Sequence, residues 1–482
     1  MKLAVFEKIL SLAEKAVWGW PTLLLLVGVG VYLTVRTRFF QFRTFLPMLK
    51  HTLGGIFAPK KDRELAARGT VTPFQSLCTA LSATIGTGNI AGVAYAMVMG
   101  GAGAVFWMWV AAFIGMILKY AECVLAVHFR VQTEAGVRGG AMYYLEKGLA
   151  GFHGKLGRSL ALIFSFSAVA ASFGMGNMSQ VVAMKESIWS ALGERFPLNE
   201  RLCAALIGIA AGGLVALVLC GGMKRIAKVN ERLVPFMAVF YTAGALVILF
   251  AHADRILPAL LCIFREAFSF SKAAHGFSGY ALMRSASWGF QRGIFSNEAG
   301  LGSSTVIHAS SSEKTPYKQG YWGIFEVFFD TCVICTLTAL VLLVTGVAGQ
   351  TPVGNMPEDA GLALAGTAFA DVFGAYGRVF IAFAVTFFAF SSILGWSFYG
   401  MRAWEYLFGE KSTGLYRILF AAAALPGALW SADTVLRLSD VFNGCMALPN
   451  LVGLSVLSGV AVGLTPEARR SEKVKKALDN GD

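Results

Sequence analysis

Long apolar runs, repeated along the chain and parted by short charged connections, constrain this sequence more than any other feature. A helix needs about 20 apolar residues to cross a bilayer. Such runs lie at 17–36, 73–98, 102–129, 158–185, 203–221, 230–252, 277–308, 321–346, 374–406, 414–430 and 437–463. In lipid each must satisfy its own backbone, so each predicts an α-helix. Composition agrees: only 14% of the 482 residues are charged, where a soluble domain carries about 25%. No polar block is long enough for a separate soluble domain. The reading is an all-α polytopic membrane protein, one transmembrane domain over 1–482 with about eleven transmembrane helices.

The net charge of +13 does not imply nucleic acid, because the basic residues sit between apolar runs and not on one interleaved surface. Arg43, Lys50, Lys60, Lys61, Arg63 and Arg68 fill the first connection, and alternate connections repeat the bias, as at Lys224, Arg225, Lys228 and Arg232. The 347–373 connection has acidic residues and no Lys or Arg. With an odd number of spans, the positive-inside rule places the N-terminus outside and the C-terminal tail, 464–482, in the cytoplasm. Residues 1–16 read as an interfacial helix, and 17–36 as a retained leading span with Arg36 and Arg38 after it and no signal-peptide pattern. Cys332 and Cys335 form a C-x-x-C inside an apolar run, where small packing residues explain them better than redox or metal chemistry.

Two runs carry glycine and polar residues at mid-span. The second contains Ile85-Gly86-Thr87-Gly88-Asn89-Ile90-Ala91-Gly92, and the seventh runs from Trp288 through Gly293 to Asn297-Glu298-Ala299-Gly300. Both hold Asn-x-Ala-Gly, five spans apart, so the second copy is inverted in the membrane. Paired glycine-interrupted helices in inverted halves mark a carrier's binding site. The outer half of the second span is expected to begin near Gly88 and Asn89, its N–H groups facing a carboxylate. The seventh is expected to break near Trp288–Phe290, presenting carbonyls to an ammonium or a cation. Ser391 and Ser392, in the ninth span, offer hydroxyls to a hard cation, or bond the carbonyl one turn back.

On these segments, together with Phe390-Ser391-Ser392-Ile393-Leu394-Gly395-Trp396, the chain resembles the alanine-or-glycine:cation symporter family, whose members are sodium:alanine symporters of leucine-transporter-like architecture. The resemblance implies two five-helix repeats, 73–252 and 277–463, after the leading span. It implies that Thr87, Gly88 and Asn89 receive the substrate carboxylate, that Trp288, Phe290, Ile294 and Trp396 wall the side-chain pocket with Ser392 beside it, and that sodium is held by the Ser82, Ile85 and Phe388 carbonyls with the Ser391 and Ser392 hydroxyls. Family members commonly carry Ser-Thr where this chain has Ser391-Ser392.

Other polar residues at membrane depth are functional candidates. Asn177 and Gln180 either line the pocket or bond between helices. Arg292, one turn below the expected break, is a cytoplasmic gate or a structural pair. Lys119 and Glu122 read as a local pair, and Glu298, Glu326 and Asp330 either carry protons or balance Arg292. His128, His252 and His308 show no metal-ligand spacing. The expected function is sodium-coupled import of alanine, glycine or similar amino acids across a bacterial inner membrane, with no enzyme activity and no cofactor beyond the coupling ion. A proton-coupled carrier of the same fold is the alternative; a polytopic enzyme or a channel fits less well.

Overall fold

A computed structural model describes residues 10, 12–13, 16–57, 70–133, 136–193, 199–268, 278–350 and 360–466. Most of the interfacial helix expected over 1–16 and most of the tail lie outside them. The described chain is helical apart from a short hairpin, Val131–Thr133 with Gly136–Arg138. Among the described residues, seven helices are long and apolar enough to cross a membrane, and an eighth span is a pair bent by 62°, Pro73–Thr84 with Thr87–Gly100. Trp20–Arg36 is a shorter apolar helix ahead of them.

The elements that build the centre are α1 (Pro73–Thr84), α2 (Ala91–Gly100), α3 (Ala104–His128), α4 (Ala150–Phe173), α5 (Ser179–Leu192), α6 (Gly222–Ala251), α7 (Ser278–Asn297), α8 (Thr305–Ala309), α9 (Pro316–Val327), α10 (Thr336–Val344), α11 (Ala360–Phe373), α12 (Tyr376–Phe408) and α13 (Ala432–Val456). A wide π turn, Gly174–Met178, joins α4 to α5, and another, Phe328–Cys335, joins α9 to α10.

Helix α1 starts where the sequence allows it. Pro73 takes the first helical position, and Thr72 forms a reciprocal cap with Gln75 at 3.0 and 3.1 Å. It stops because Asn89 competes with the helical ladder: its Oδ1 accepts the Gly86 N–H at 2.9 Å, and Ile85 and Gly86 are extended. A single 3₁₀ turn, Thr87–Asn89, then leads to α2. The two halves diverge because they pack on different partners, α1 on α6 and α12, α2 on α7 and α11.

The seventh span breaks later than expected. Trp288 and Phe290 lie inside the unbroken α7, and the interruption is at 298–304. Glu298, Gly300 and Gly302 adopt positive φ (53°, 87° and 76°), and Asn297 Oδ1 takes the Ala299 N–H at 3.0 Å. The glycines at 289 and 293 serve packing instead. A Cβ on Gly289 would lie 2.4 Å from the Ala104 carbonyl oxygen, and one on Gly293 3.1 Å from the Ala111 Cβ, so α7 lies directly against α3. The 347–373 connection, read as a loop, contains α11. Helix Ala253–Ala267 caps α3, Glu266 Oε2 accepting the Ala102 N–H at 2.7 Å.

Leu206, Ile209, Leu214 and Leu217 on Glu200–Leu219, with Phe236, Val239 and Phe250 on α6, are exposed. An apolar surface of that extent requires lipid around it. Gly289→Ala should lower the melting temperature of the detergent-purified protein, because overpacking a close contact costs about 1–3 kcal/mol. Gly213→Ala is the control: a Cβ there meets nothing within 4 Å, and it should leave the melting temperature unchanged or raise it through helix propensity.

Candidate functional site

The break between α1 and α2 opens onto a cavity of about 120 Å³. Ala83 and Thr84 from the end of α1, Thr87 and Gly88 from the turn, and Ala91 and Gly92 from the start of α2 all line it. The end of α1 presents carbonyls left over from its last turn, and the start of α2 presents unused N–H groups. Their dipole ends have opposite sign. Gly88 is exposed to the cavity, and a Cβ there would meet no atom within 4 Å. The far wall comes from α5, where Gln180 Oε1 accepts the Thr87 hydroxyl at 3.4 Å, and from Arg292, Phe295 and Ser296 on α7.

Of the residues singled out from sequence, Thr87, Gly88, Gln180 and Arg292 meet in this cavity. Asn89 does not face it. It is buried, and its Nδ2 donates to Ser296 Oγ at 3.0 Å and to Asp330 Oδ1 at 2.7 Å. Asn177 is turned to the Phe420 carbonyl. The four expected wall residues lie outside the lining. Trp288 packs edge-on to Tyr95, Phe290 against Trp107, and Trp396 against Tyr399, while Ile294 is buried in α7. The reason is the shifted break: positions 288–294 stay in a continuous helix whose carbonyls are used by its own ladder. Arg292 therefore lies on the Tyr95 side of the break, not below it. Its guanidinium stacks 4.7 Å from the Tyr95 ring centroid.

Glu186, Ser296, Leu362, Ser439 and Asp440 also line the cavity and escaped the sequence reading. Asp440 and Glu186 carried a usable signal, as ionisable residues next to apolar runs. Leu362 did not, since its helix was read as a loop.

A second set of expected residues gathers where α1 ends against α12. Ser391 Oγ donates to the Phe388 carbonyl at 2.8 Å and lies 3.5 Å from the Ser82 carbonyl. Asn230 Nδ2 donates to Ser82 Oγ at 2.9 Å. Ser392 Oγ is fully buried and has no hydrogen-bond partner among the described residues. A Cβ on Gly86 would lie only 2.8 Å from it. Ser391 thus bonds one turn back, while Ser392 holds an unused oxygen beside the end of α1. Neutral oxygens around such an atom suit a hard monovalent cation.

The second break is closed by protein. Lys119 Nζ donates to the Glu298 carbonyl at 3.3 Å and to Ser304 Oγ at 3.0 Å, and pairs with Glu326 at 3.3 Å. Glu122 Oε1 accepts the Gly302 N–H at 2.9 Å and Asn450 Nδ2 at 2.6 Å, and Asn450 also donates to the Gly300 carbonyl at 2.8 Å. His308 joins Glu326 at 2.8 Å. Lys119 and Glu122, read as a local pair, do pair at 4.0 Å one turn apart, and together they also clamp this break. Its Glu298 and Gly300 carbonyls are already taken by Lys119 and Asn450, so they are not open to a substrate ammonium. Lys119→Met should destabilise the protein by about 3–5 kcal/mol, the usual consequence of leaving buried charges unpaired. Adding Glu326→Gln should restore part of it, read from thermal unfolding in detergent; equal melting of single and double variants would refute the pairing.

The match to the sodium:alanine symporter family covers residues 3–480. The sodium/alanine symporter AgcS of Methanococcus maripaludis is 42% identical over 471 residues, 97% of this chain and 99% of that one. The probable sodium/glutamine symporter GlnT of Bacillus subtilis is 33% identical, covering 98% and 92%. Among solved structures, MhsT in complex with L-phenylalanine superposes with a TM-score of 0.56 at 15% identity, covering 82% of this chain and 98% of that one; at that identity the likeness is one of fold. The chain belongs to the sodium:alanine symporter family.

Proposed function

We propose that this amino-acid transporter is a secondary-active symporter coupling the inward movement of sodium to uptake of small neutral amino acids such as alanine and glycine. One observation carries the reading: both ends of a single broken helix face the same small cavity. A zwitterion needs donors for its carboxylate and acceptors for its ammonium. The N–H groups around Gly88 and the start of α2 supply the first, and the Ala83 and Thr84 carbonyls with Gln180 Oε1 supply the second. Sites for drug-sized ligands run to about 300–1,000 Å³, so a cavity of about 120 Å³ favours a short side chain. The names of AgcS, a sodium/alanine symporter, and GlnT, a probable sodium/glutamine symporter, support the coupling ion.

Sodium, on this reading, sits at the α1–α12 contact with Ser392 as a ligand, alongside the Ser82, Ile85 and Phe388 carbonyls and Ser391. It lies directly behind Gly86. Ion and substrate then hold the same break in one geometry, so each raises the affinity for the other. Alternating access follows as the two inverted repeats rock around the fixed site. A proton-coupled carrier remains the second reading because Glu122, Glu298 and Glu326 are all fully buried around one lysine. Alanine uptake into proteoliposomes with and without a sodium gradient, at constant pH on both faces, separates the two.

Gly88→Val should abolish uptake while leaving a folded protein, since its branched side chain projects into the open cavity and resists the non-helical turn. Normal uptake by this variant would falsify the carboxylate site. Ser392→Ala should raise the sodium concentration for half-maximal uptake about tenfold or more, in line with losses at metal sites. Alanine affinity should recover at saturating sodium. An unchanged sodium curve removes Ser392 from the ion's shell.

A further inference from the structure

Helix α6 begins with four cations that no described residue answers. It has 30 residues, about 45 Å at the helical rise, against a hydrocarbon core of about 30 Å. Roughly ten of its residues must therefore lie at headgroup level. They are the first ones. From Leu233 to Ala251 the helix has no charged residue, whereas Lys224, Arg225, Lys228, Glu231 and Arg232 crowd its start. The four basic side chains are exposed, and among the described residues none of them has a hydrogen bond or an ion pair. Glu231, the one acid in the stretch, accepts Gln75 Nε2 of α1 at 3.0 Å.

Arg225, Lys228, Arg232, Phe236 and Val239 follow one another at steps of three and four residues, so they share a face of the helix. Arg225, Lys228 and Arg232 line, with Val229, Leu233 and Phe236, a groove of about 560 Å³. The groove has a cationic end and an apolar end. Phe236 is exposed, and its ring meets Phe387 of α12 edge-on at 5.3 Å, so the apolar end opens beside the seam between the two helices. A soluble anion would use only the first half. A phospholipid presents a phosphate and then an acyl chain in the same order along the helix. The positive-inside rule places this end of α6 toward the cytoplasm, where anionic lipid gives the membrane surface its negative potential.

We propose that this groove binds an anionic phospholipid, its phosphate held by Arg225, Lys228 and Arg232 and the start of an acyl chain lying on Leu233 and Phe236. The inference does not depend on which ion drives transport. The two guanidinium groups present forked donors that match phosphate oxygens, and Lys228 adds a point charge between them. The lipid reaches the substrate site by a short path. Asn230, on the buried face of the same turn, donates Nδ2 to Ser82 Oγ at 2.9 Å, near the end of α1. Lys224, Lys228 and Arg232 also border a hollow shared with Thr72 and Gln75, the reciprocal cap that starts α1. Like charges a turn apart repel. A bound phosphate removes that repulsion and firms the segment of α6 that touches both ends of α1.

The full-length protein, purified in a neutral detergent, is titrated with radiolabelled phosphatidylglycerol or phosphatidylcholine, and the lipid retained is counted. Wild type should hold phosphatidylglycerol in preference to phosphatidylcholine. Arg225→Gln, Lys228→Gln and Arg232→Gln together should weaken that binding about a hundredfold, at about fivefold for each cation lost beside anionic lipid. Lys155→Gln, Lys314→Gln and Lys411→Gln together remove the same charge from exposed positions elsewhere and should change nothing. Glycerophosphoglycerol, the headgroup without its chains, should not displace the lipid. Equal retention of the two lipids by wild type overturns the site and leaves the cations to an acidic soluble partner. Displacement by glycerophosphoglycerol makes the groove a phosphate site and overturns the lipid. Equal loss in both triple variants reduces the effect to bulk charge and overturns the groove. If the first triple variant does not fold, Lys228→Gln decides: a loss of about fivefold is expected, and a wild-type isotherm overturns the proposal. In phosphatidylcholine proteoliposomes, added phosphatidylglycerol should raise alanine uptake by wild type and not by the first triple variant. Wild-type uptake indifferent to a lipid that binds would strike out the path through Asn230. Lipid retention is counted without transport, so a chain that failed to move alanine would leave the lipid result standing.

Discussion

The hydrogen bond from the Gly86 N–H to the Asn89 side chain, 2.9 Å long, is the interaction on which the rest of the centre depends. It ends α1 at Thr84, in the middle of what would otherwise be one span, and the chain resumes at Thr87, through the 3₁₀ turn into α2, at an angle of 62°. Everything that distinguishes this chain from a bundle of plain membrane helices follows from that interruption. Carbonyls at one end and N–H groups at the other are left without ladder partners. At membrane depth such groups must meet protein or ligand, and here they meet a small cavity.

The chain breaks a second helix and treats it in the opposite way. At 298–304 the freed groups are taken up by Lys119, Glu122 and Asn450, all buried. One break is held closed by side chains, and the other is left open for what binds. Asn89 in the first break and Ser296, on the last turn of α7 just before the second, join the two through a 3.0 Å bond. A change at either break is thereby felt at the other. The positive φ of Glu298 belongs to this picture: a non-glycine residue held there costs about 1–3 kcal/mol and persists only where its surroundings fix it. Lys119 on its carbonyl and Ser303 on its carboxylate do so.

The spans were legible because burying 20 apolar residues in lipid leaves no choice but helix, and the mid-span glycines were legible because lipid-facing helices do not need them. The repeated Asn-x-Ala-Gly lies at both breaks, although the second was expected earlier, near Trp288–Phe290. At each one the asparagine side chain takes a nearby backbone N–H, Gly86 in one case and Ala299 in the other. The glycines at 289 and 293 misplaced the second break, since a glycine that lets α7 lie against α3 reads the same as one that ends a helix. Helix α11 was missed because its short span sits among acidic and glycine residues that resemble a loop.

The sequence by itself determined the class of protein, its helical and apolar character, the existence of two interruptions and the residues Thr87 and Gly88 at the first. These follow from local composition and from the fixed thickness of a bilayer. Only the tertiary structure decided which polar groups meet. Asp330, Ser296 and Asn89 are separated by up to 241 positions in the chain, and no periodicity relates them. The same holds for Trp396, which packs on Tyr399 and Gly176 and not on the cavity. Its type suits a pocket wall, but which face of α12 meets the break is set by how α1, α5 and α6 pack around it, and that depends on contacts a linear pattern does not contain.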